Sequence, residues 1–281
     1  MHNTEIVLFA YDRPEALERT VASLRIAREL WKHERNATEH LPLTVALDGP
    51  RSTKDSQARV AAVRAIVSKH LPDAKVHAEA TNRGLPTLLL NTLDPLVSRP
   101  EFQRAICIED DVEVSPTLLL ALETISDNIV RIFGAAKSHV VGAAPAHRDG
   151  SLEHQALLVD RGAHLASATM LRDYIERFEL DGAHRDGAYG ARNHDAIKAW
   201  STELAAREHL PAPTGTSQDR MRELAWRRGN VLMRGAPMRL VRHRGLWGQH
   251  NTPWYALRTG QLFQRLDLRS WQDTEPRLRE P

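Results

Sequence analysis

The sequence is poor in cysteine and has no long apolar run. Cys107 is the only cysteine in 281 residues, so an intrachain disulfide is impossible and the chain suits a reducing compartment. Residues 1–11 carry neither a basic leader nor a long apolar core, and no later apolar run approaches the roughly 20 residues that a membrane span requires. These absences predict a cytoplasmic protein without a transmembrane segment.

The sequence also lacks an excess of one charge and a phosphate-binding glycine motif. The net charge is only +2, which argues against a dedicated nucleic-acid-binding protein. No Walker-type or dinucleotide-type glycine pattern follows a predicted strand, which weighs against P-loop and NAD enzymes. Residues 182–281 contain 17 Lys and Arg against 10 Asp and Glu, whereas residues 1–181 contain 21 against 26. This asymmetry suits an anionic ligand between the halves, although a solvated arginine surface explains it almost as well.

What the sequence does contain is a regular alternation of short apolar strands and amphipathic helices up to residue 133. This alternation predicts an α/β fold with a mostly parallel, Rossmann-like central sheet flanked by helices. From residue 134 onward the pattern is less regular. We expect a single domain over residues 1–255, followed by a polar C-terminal tail over residues 256–281.

Polar side chains follow each of the first four predicted strands. In chain order they are Asp12 and Arg13, Asp48, Asn82 and Arg83, and finally Glu109, Asp110 and Asp111. Right-handed crossovers bring the carboxyl ends of parallel strands to one edge of the sheet, which is where ligands bind in open α/β proteins. Carboxylates for a base, ribose or metal and guanidinium groups for phosphate are what a nucleotide site needs. Asp-Gly-Pro and Asn-Arg-Gly are also ordinary turn sequences.

The acidic triplet, Glu109, Asp110 and Asp111, ends the apolar run at residues 105–108. Three adjacent carboxylates repel one another, and a hard divalent cation with oxygen ligands would relieve that repulsion. The alternative is a solvated acidic turn ahead of a helix that Ser115 caps and Pro116 begins. The triplet by itself leaves both interpretations open.

The order of these motifs resembles the GT-A glycosyltransferases, which use nucleotide-sugar donors and a metal-binding acidic motif after a central strand. Within them the chain is most similar to the N-acetylglucosaminyltransferase I type, whose acidic motif is also Glu-Asp-Asp. The similarity spans most of residues 5–250. It rests on the first strand with Arg13, on Asp48, on the acidic triplet, and on residues 141–144, 218–222, 239–245 and 248–250.

The resemblance implies a role for individual residues. The residues that would bind the donor are Arg13, Asp48, Glu109 and Asp110, and the strand-end argument adds Arg83. Asp111 and His250 would bind the metal ion, Mn²⁺ or Mg²⁺. Asp219 would be the catalytic base. Within the donor, Asp48 binds the uracil, Glu109 the sugar and Asp110 the ribose. The tryptophan and second acid that the family places before its base are replaced here by Ser217 and Gln218.

Two of these residues keep structural alternatives. Asp219 falls in the first turn of a helix that Ser217 starts, where a carboxylate is stabilised simply by facing the helix dipole. His250 contacts the metal or the diphosphate, or it is an ordinary loop imidazole. Neither alternative is resolved by the sequence.

The implied activity is metal-dependent transfer of a hexosyl or N-acetylhexosaminyl group from a nucleotide-sugar, a UDP-sugar, to an acceptor hydroxyl of a glycan or small molecule. A single base with direct attack predicts inversion at the anomeric carbon. Residues 1–133 then form the nucleotide-binding half and residues 134–255 the acceptor-side half. The alternatives are a sugar nucleotidyltransferase, whose glycine-rich loop is missing after the first strand, and a non-catalytic nucleotide-sugar-binding module.

Overall fold

The computed structural model describes residues 3–178, 191–243 and 264–279. The strands are β1 (Thr4–Ala10), β2 (Leu43–Leu47), β3 (Lys75–Ala78), β4 (Arg104–Glu109), β5 (Val112–Val114), β6 (His139–Gly142), β7 (Ala156–Asp160), β8 (Leu232–Gly235) and β9 (Val241–His243). The helices are α1 (Pro14–Glu34), α2 (Lys54–His70), α3 (Leu85–Val97), α4 (Leu118–Phe133), α5 (Arg161–Arg177), α6 (Ala191–Arg207), α7 (Gln218–Arg228) and α8 (Trp271–Arg279).

Seven of the strands form one central sheet in the order β3-β2-β1-β4-β7-β6-β8. The pairs β3–β2, β2–β1, β1–β4 and β6–β8 are parallel, and β7 runs antiparallel to both of its neighbours. The short strands β5 and β9 form a separate antiparallel pair. The predicted α/β fold with a mostly parallel central sheet flanked by helices is therefore confirmed. Because β6, β7 and β8 follow residue 134, both halves of the chain contribute to the same sheet.

The central strands are covered on both faces, which explains their continuous apolar sequences. On β1, Ile6 and Leu8 pack into the core that includes α1, α2 and α4, whereas Val7 and Phe9 pack into the core that includes α3 and α5. Alternate residues of a strand point to opposite faces, so both sets are apolar. Across the described ranges, no helix combines the length and apolar character needed to cross a bilayer.

The sheet contains a topological switch point between β1 and β4. From β1 the chain moves outward to β2 and β3, and it then returns so that β4 lies on the other side of β1. In open α/β sheets the loops diverge at such a point and leave a crevice at the carboxyl ends of the strands. Arg13 follows β1 and the acidic triplet closes β4, so both face this crevice.

The C-terminal helix α8 packs against α4 and is part of the main core. Trp271 and Leu278 are buried in that core, and the Asn128 side-chain amide donates to the Leu278 carbonyl at 2.9 Å. Ahead of the helix, the Ser115 hydroxyl donates to the Asp267 carbonyl at 2.6 Å. The polar composition of residues 256–281 did not predict this helix.

We predict that Cys107 is inert to water-soluble thiol reagents in the folded protein. The side chain is buried within β4, and burial raises the pKa of the thiol to about 11, so almost no thiolate exists at pH 8. Dithiobis(nitrobenzoate) should release no chromophore from native protein and one equivalent after unfolding in guanidinium chloride. Complete labelling of native protein within minutes would contradict the burial.

Candidate functional site

Two members of the acidic triplet, Asp110 and Asp111, are buried in the protein. Asp110 and Asp111 make the turn between β4 and β5, and each residue is only 1% exposed. Strand β5 follows directly, and α4 begins only at Leu118, after the N-cap residue Thr117. The solvated acidic turn ahead of a helix capped by Ser115 is therefore excluded. Two buried acids at adjacent positions require a compensating cation.

Arg13 supplies that cation. Its Nη2 lies 2.6 Å from Asp110 Oδ1, and its Nη1 is paired with Asp111 Oδ2. Burial alone would lower the pKa of Arg13, but the Asp110 and Asp111 carboxylates outweigh it and the pKa is raised. The Tyr11 backbone N–H also donates to Asp110 Oδ2 at 2.9 Å. The sequence predicted that Arg13 lies near a nucleotide. In the structure its guanidinium contacts Asp110 and Asp111.

The three acids differ in their affinity for protons. Burial, together with the nearby carboxylates of Asp111 and Asp219, raises the pKa of Glu109 to about 8. Burial also raises the pKa of Asp110, to about 6, against the opposing effect of Arg13. Burial acts in the same direction on Asp111, but a hydrogen bond from His243 and the charge of Arg13 prevail, so the pKa of Asp111 is lowered. Asp111 is therefore the member of the triplet that is most firmly ionised.

Asp111 and His243 are the groups of this site whose chemistry suits a metal ion. Among the described residues, the buried Asp111 Oδ1 has no hydrogen-bond partner, and the Nε2 atom of His243 lies 3.2 Å from Asp111 Oδ2. The pairing of β5 with β9 sets His243 opposite Val112. A carboxylate oxygen and an imidazole suit a divalent cation whose other ligands are phosphate oxygens and water.

The protein alone does not offer a complete ligand set within the described part of the chain. Those residues contain no group of three or more His, Cys, Asp or Glu side chains arranged to hold a metal ion. The predicted ligand His250 lies outside the described residues. His243, which the sequence analysis did not single out, is the imidazole that the fold brings next to Asp111.

Asp48 clamps the loops that follow β2 and β3. Its Oδ1 accepts the backbone N–H groups of Gly49 at 2.9 Å and Arg83 at 2.7 Å. Its Oδ2 accepts the Gly84 N–H and the Asn82 side-chain amide, both at 2.9 Å. These four donors tie the carboxylate to both loops. Asp48 therefore shapes this edge of the sheet, and uracil binding by the same side chain stays a prediction.

The candidate base Asp219 reaches the same edge from the second half of the chain. Helix α7 begins at Gln218, and Asp219 lies in its first turn, as the sequence predicted. The side chain is 27% exposed, and its charge contributes to the raised pKa of Glu109. The first turn of α7 therefore faces the acidic triplet across the crevice.

Two further residues near Asp219 were not predicted. His154 Nδ1 lies 3.3 Å from Asp219 Oδ1, and His154 Nε2 lies 3.1 Å from Glu223 Oε1. Asp219 and Glu223 are four residues apart, a spacing that puts both carboxylates on one face of a helix. That spacing was visible in the sequence, but nothing in it indicated that the partner is His154.

Arg222 is a buried cation. The residue is 3% exposed, its Nε and Nη2 atoms have no hydrogen-bond partner among the described residues, and its Cζ lies 4.8 Å from the centre of the Trp226 ring. Burial lowers the pKa of Arg222, while the charges of Cys107, Asp219 and Glu109 act in the opposite direction. A charge held in this way costs stability.

Comparison with known proteins gave distant structural likenesses only. No family model and no curated protein matches the chain. TarS residues 1–349 of S. aureus superposes with a TM-score of 0.45 at 12% identity, covering 98% of this chain and 69% of that one. The galactosyltransferase LgtC, solved with donor and acceptor sugar analogs, gives a TM-score of 0.38 at 13% identity, with 95% and 98% covered.

A third likeness covers less of the chain. The 4-diphosphocytidyl-2C-methyl-D-erythritol synthase of Anaerococcus prevotii gives a TM-score of 0.35 at 12% identity, with 62% of this chain and 76% of that chain covered. At these scores the comparisons assign no activity to the protein. The function has to be argued from the residues at the site.

We predict that Asp48→Asn lowers the free energy of unfolding by about 1–3 kcal/mol, because the new amide NH₂ group faces donors and leaves buried groups unsatisfied. Urea unfolding measures the change. Asp173→Asn, an exposed acid on α5, is the matched control and should stay within about 0.5 kcal/mol of the parent. Equal effects of the two substitutions would show that the clamp does not stabilise the fold.

We predict the opposite sign for Arg222→Met. Methionine keeps the contact with Trp226 and removes a buried charge, so the free energy of unfolding should rise by about 1–4 kcal/mol. Arg228→Met, at an exposed position of the same helix, should change it by less than about 0.5 kcal/mol. A loss of stability in Arg222→Met greater than in the control would mean that the guanidinium is paired in solution.

Proposed function

We propose that the protein is an inverting, metal-dependent glycosyltransferase of the GT-A type. It transfers a sugar from a nucleotide-sugar donor, a UDP-sugar, to an acceptor hydroxyl. The observation that carries the proposal is the convergence of two independent parts of the chain on one crevice. The buried, Arg13-bound acids after β4 come from the first half, and the partly exposed carboxylate of Asp219 comes from the second.

The nucleotide-sugar donor would bind at the topological switch point between β1 and β4. Asp111 and His243 would hold the Mn²⁺ or Mg²⁺ ion, which when bound offsets the negative charge that grows on the leaving nucleoside diphosphate. The unused Asp111 Oδ1 supports this assignment. Arg13 offsets part of the negative charge of Asp110 and Asp111, and a bound divalent cation would offset the rest when an anionic diphosphate approaches. Glu109, whose pKa burial and the neighbouring carboxylates raise, lies beside the metal ligand and would contact the donor sugar.

The acceptor side belongs to Asp219. Transfer requires a carboxylate that takes the proton of the acceptor hydroxyl while its oxygen attacks the anomeric carbon. Asp219 is partly exposed and lies on the opposite wall from the acidic triplet, which supports this role. One base and direct attack give inversion, by the geometric logic that separates inverting from retaining glycosidases.

We predict that Asp111→Asn and Asp219→Asn separate donor binding from transfer. UDP with Mn²⁺ should raise the unfolding temperature of the parent and of Asp219→Asn, but not that of Asp111→Asn, because only the latter has lost a metal ligand. Release of the nucleoside diphosphate from whichever of the UDP-, GDP- and dTDP-sugars the parent uses should fall by about 10²–10⁴-fold in Asp219→Asn. Asp173→Asn is the control for both measurements.

Each remaining result of that experiment has a definite meaning. Unchanged turnover in Asp111→Asn would remove the metal site from the proposal, and a full rate in Asp219→Asn would make that residue a helix-capping acid. Pyrophosphate release from a nucleoside triphosphate and a sugar 1-phosphate would identify a nucleotidyltransferase. Stabilisation by UDP without turnover of any donor would identify a binding module.

A further inference from the structure

His154 is held in one orientation between two carboxylates and an aromatic ring. The side chain is 6% exposed and comes from the segment before β7, and its imidazole stacks on Trp226 with ring centres 5.6 Å apart and planes 4° from parallel. Its Nε2 lies 3.1 Å from Glu223 Oε1 and its Nδ1 lies 3.3 Å from Asp219 Oδ1. These contacts leave the ring no freedom to exchange its two nitrogens.

Glu223 determines which nitrogen carries the proton. Its Oε1 also accepts the Leu152 N–H at 2.8 Å, and its Oε2 accepts Arg220 Nη1 at 2.7 Å. Burial alone would raise the pKa of Glu223, but the hydrogen bonds from His154, Leu152 and Arg220 prevail and the pKa is lowered. An ionised Glu223 accepts only, so His154 Nε2 must donate to it. In the neutral ring, Nδ1 then carries a lone pair.

Nδ1 is the ring nitrogen nearest to the candidate base. It is buried, has no hydrogen-bond partner among the described residues, and lies 3.3 Å from Asp219 Oδ1. When neither group carries a proton, both atoms are acceptors, and a single proton shared between them would make the contact a hydrogen bond. We propose that His154 is the positioning residue of Asp219 and receives through it the proton that leaves the acceptor hydroxyl.

This inference rests on the proposed function, in which the acceptor hydroxyl loses one proton during sugar transfer. The acceptor O–H bond breaks as the new bond from that oxygen to the anomeric carbon forms. The bond from the anomeric carbon to the diphosphate oxygen breaks, and its electron pair leaves with the diphosphate. The proton passes to Asp219 and then to His154 Nδ1, so that an imidazolium lies between two carboxylates. Release of the proton to solvent restores the neutral ring.

Charged groups surround His154 on α7 and on the segment before β7. They are Asp219, Glu223, Arg220 and Arg222 on α7, and Glu153, which Arg239 engages at 2.6 and 2.7 Å. Two carboxylates contact the ring directly, whereas the arginines contact Glu223, Trp226 or Glu153 instead.

The tautomer of His154 tests the geometry without any substrate. Nitrogen-15 spectra of the labelled protein distinguish a proton on Nδ1 from one on Nε2, and the His154 signals are those missing from His154→Gln, or from His154→Asn if the first variant does not fold. After titration to a pH at which the ring is neutral, the proton should lie on Nε2. A neutral ring protonated on Nδ1 would overturn the proposal, because no lone pair would then face Asp219.

Kinetics of UDP release test the role. His154→Gln keeps a side-chain amide for Glu223 and removes Nδ1, so kcat should fall by about 10–100-fold, the effect of losing a group that orients a reacting residue. The KM for the donor and the UDP-induced thermal shift should not change. The double variant His154→Gln/Asp219→Asn should be no slower than Asp219→Asn alone, because the two residues act as a unit.

The outcomes separate this inference from the proposed function. A slow Asp219→Asn with a full-rate His154→Gln would refute the relay and leave the glycosyltransferase intact. Multiplicative losses in the double variant, or a changed KM in His154→Gln, would make His154 a purely structural residue. If the parent turns over no donor, the proposed function fails, and the tautomer alone decides whether His154 Nδ1 faces Asp219 as an acceptor.

Discussion

The site depends on the pairing of two buried, adjacent acids with one arginine. Asp110 and Asp111 are withdrawn from water at the end of β4, and Arg13, which bridges them, offsets part of their desolvation together with the Tyr11 N–H and His243. Arg13 reaches both because β1 and β4 are neighbours in the sheet and because α1 begins directly after it. The parallel order of the sheet, the start of α1 and the turn after β4 therefore all serve one electrostatic requirement.

The opposite wall of the crevice follows a different principle. The Arg13 cluster pairs its charges, whereas α7 carries a guanidinium, Arg222, that is buried beside the carboxylates of Asp219 and Glu109. Such an arrangement lowers stability, and it is the kind of cost that functional sites retain. Beneath it, the buried His154 is paired with Glu223 and contacts the partly exposed Asp219. On the first wall the buried acids are paired with Arg13, whereas the second wall contains the buried guanidinium of Arg222.

Much of this arrangement could be predicted from the sequence. The alternation of strands and helices up to residue 133 follows from apolar periodicity, and the polar strand ends converge because crossover rules bring parallel strands to one edge. The contacts between distant loops could not be predicted. From the sequence alone, Arg13 could equally be a phosphate ligand. It pairs with Asp110 and Asp111 because β1 and β4 are neighbours in the sheet. His154 carries no local signal at all, since its partners lie on a helix that follows much later in the chain.

The central claim is that the acidic triplet and Arg13 form the donor and metal site of a sugar-transferring enzyme. The most direct measurement is an anomalous difference map from crystals grown with UDP and MnCl₂. We expect one manganese peak bonded to Asp111 Oδ1 and His243, with the UDP diphosphate beside it at the carboxyl ends of β1 and β4. UDP bound elsewhere, or UDP at this edge with no manganese at Asp111, would contradict the account.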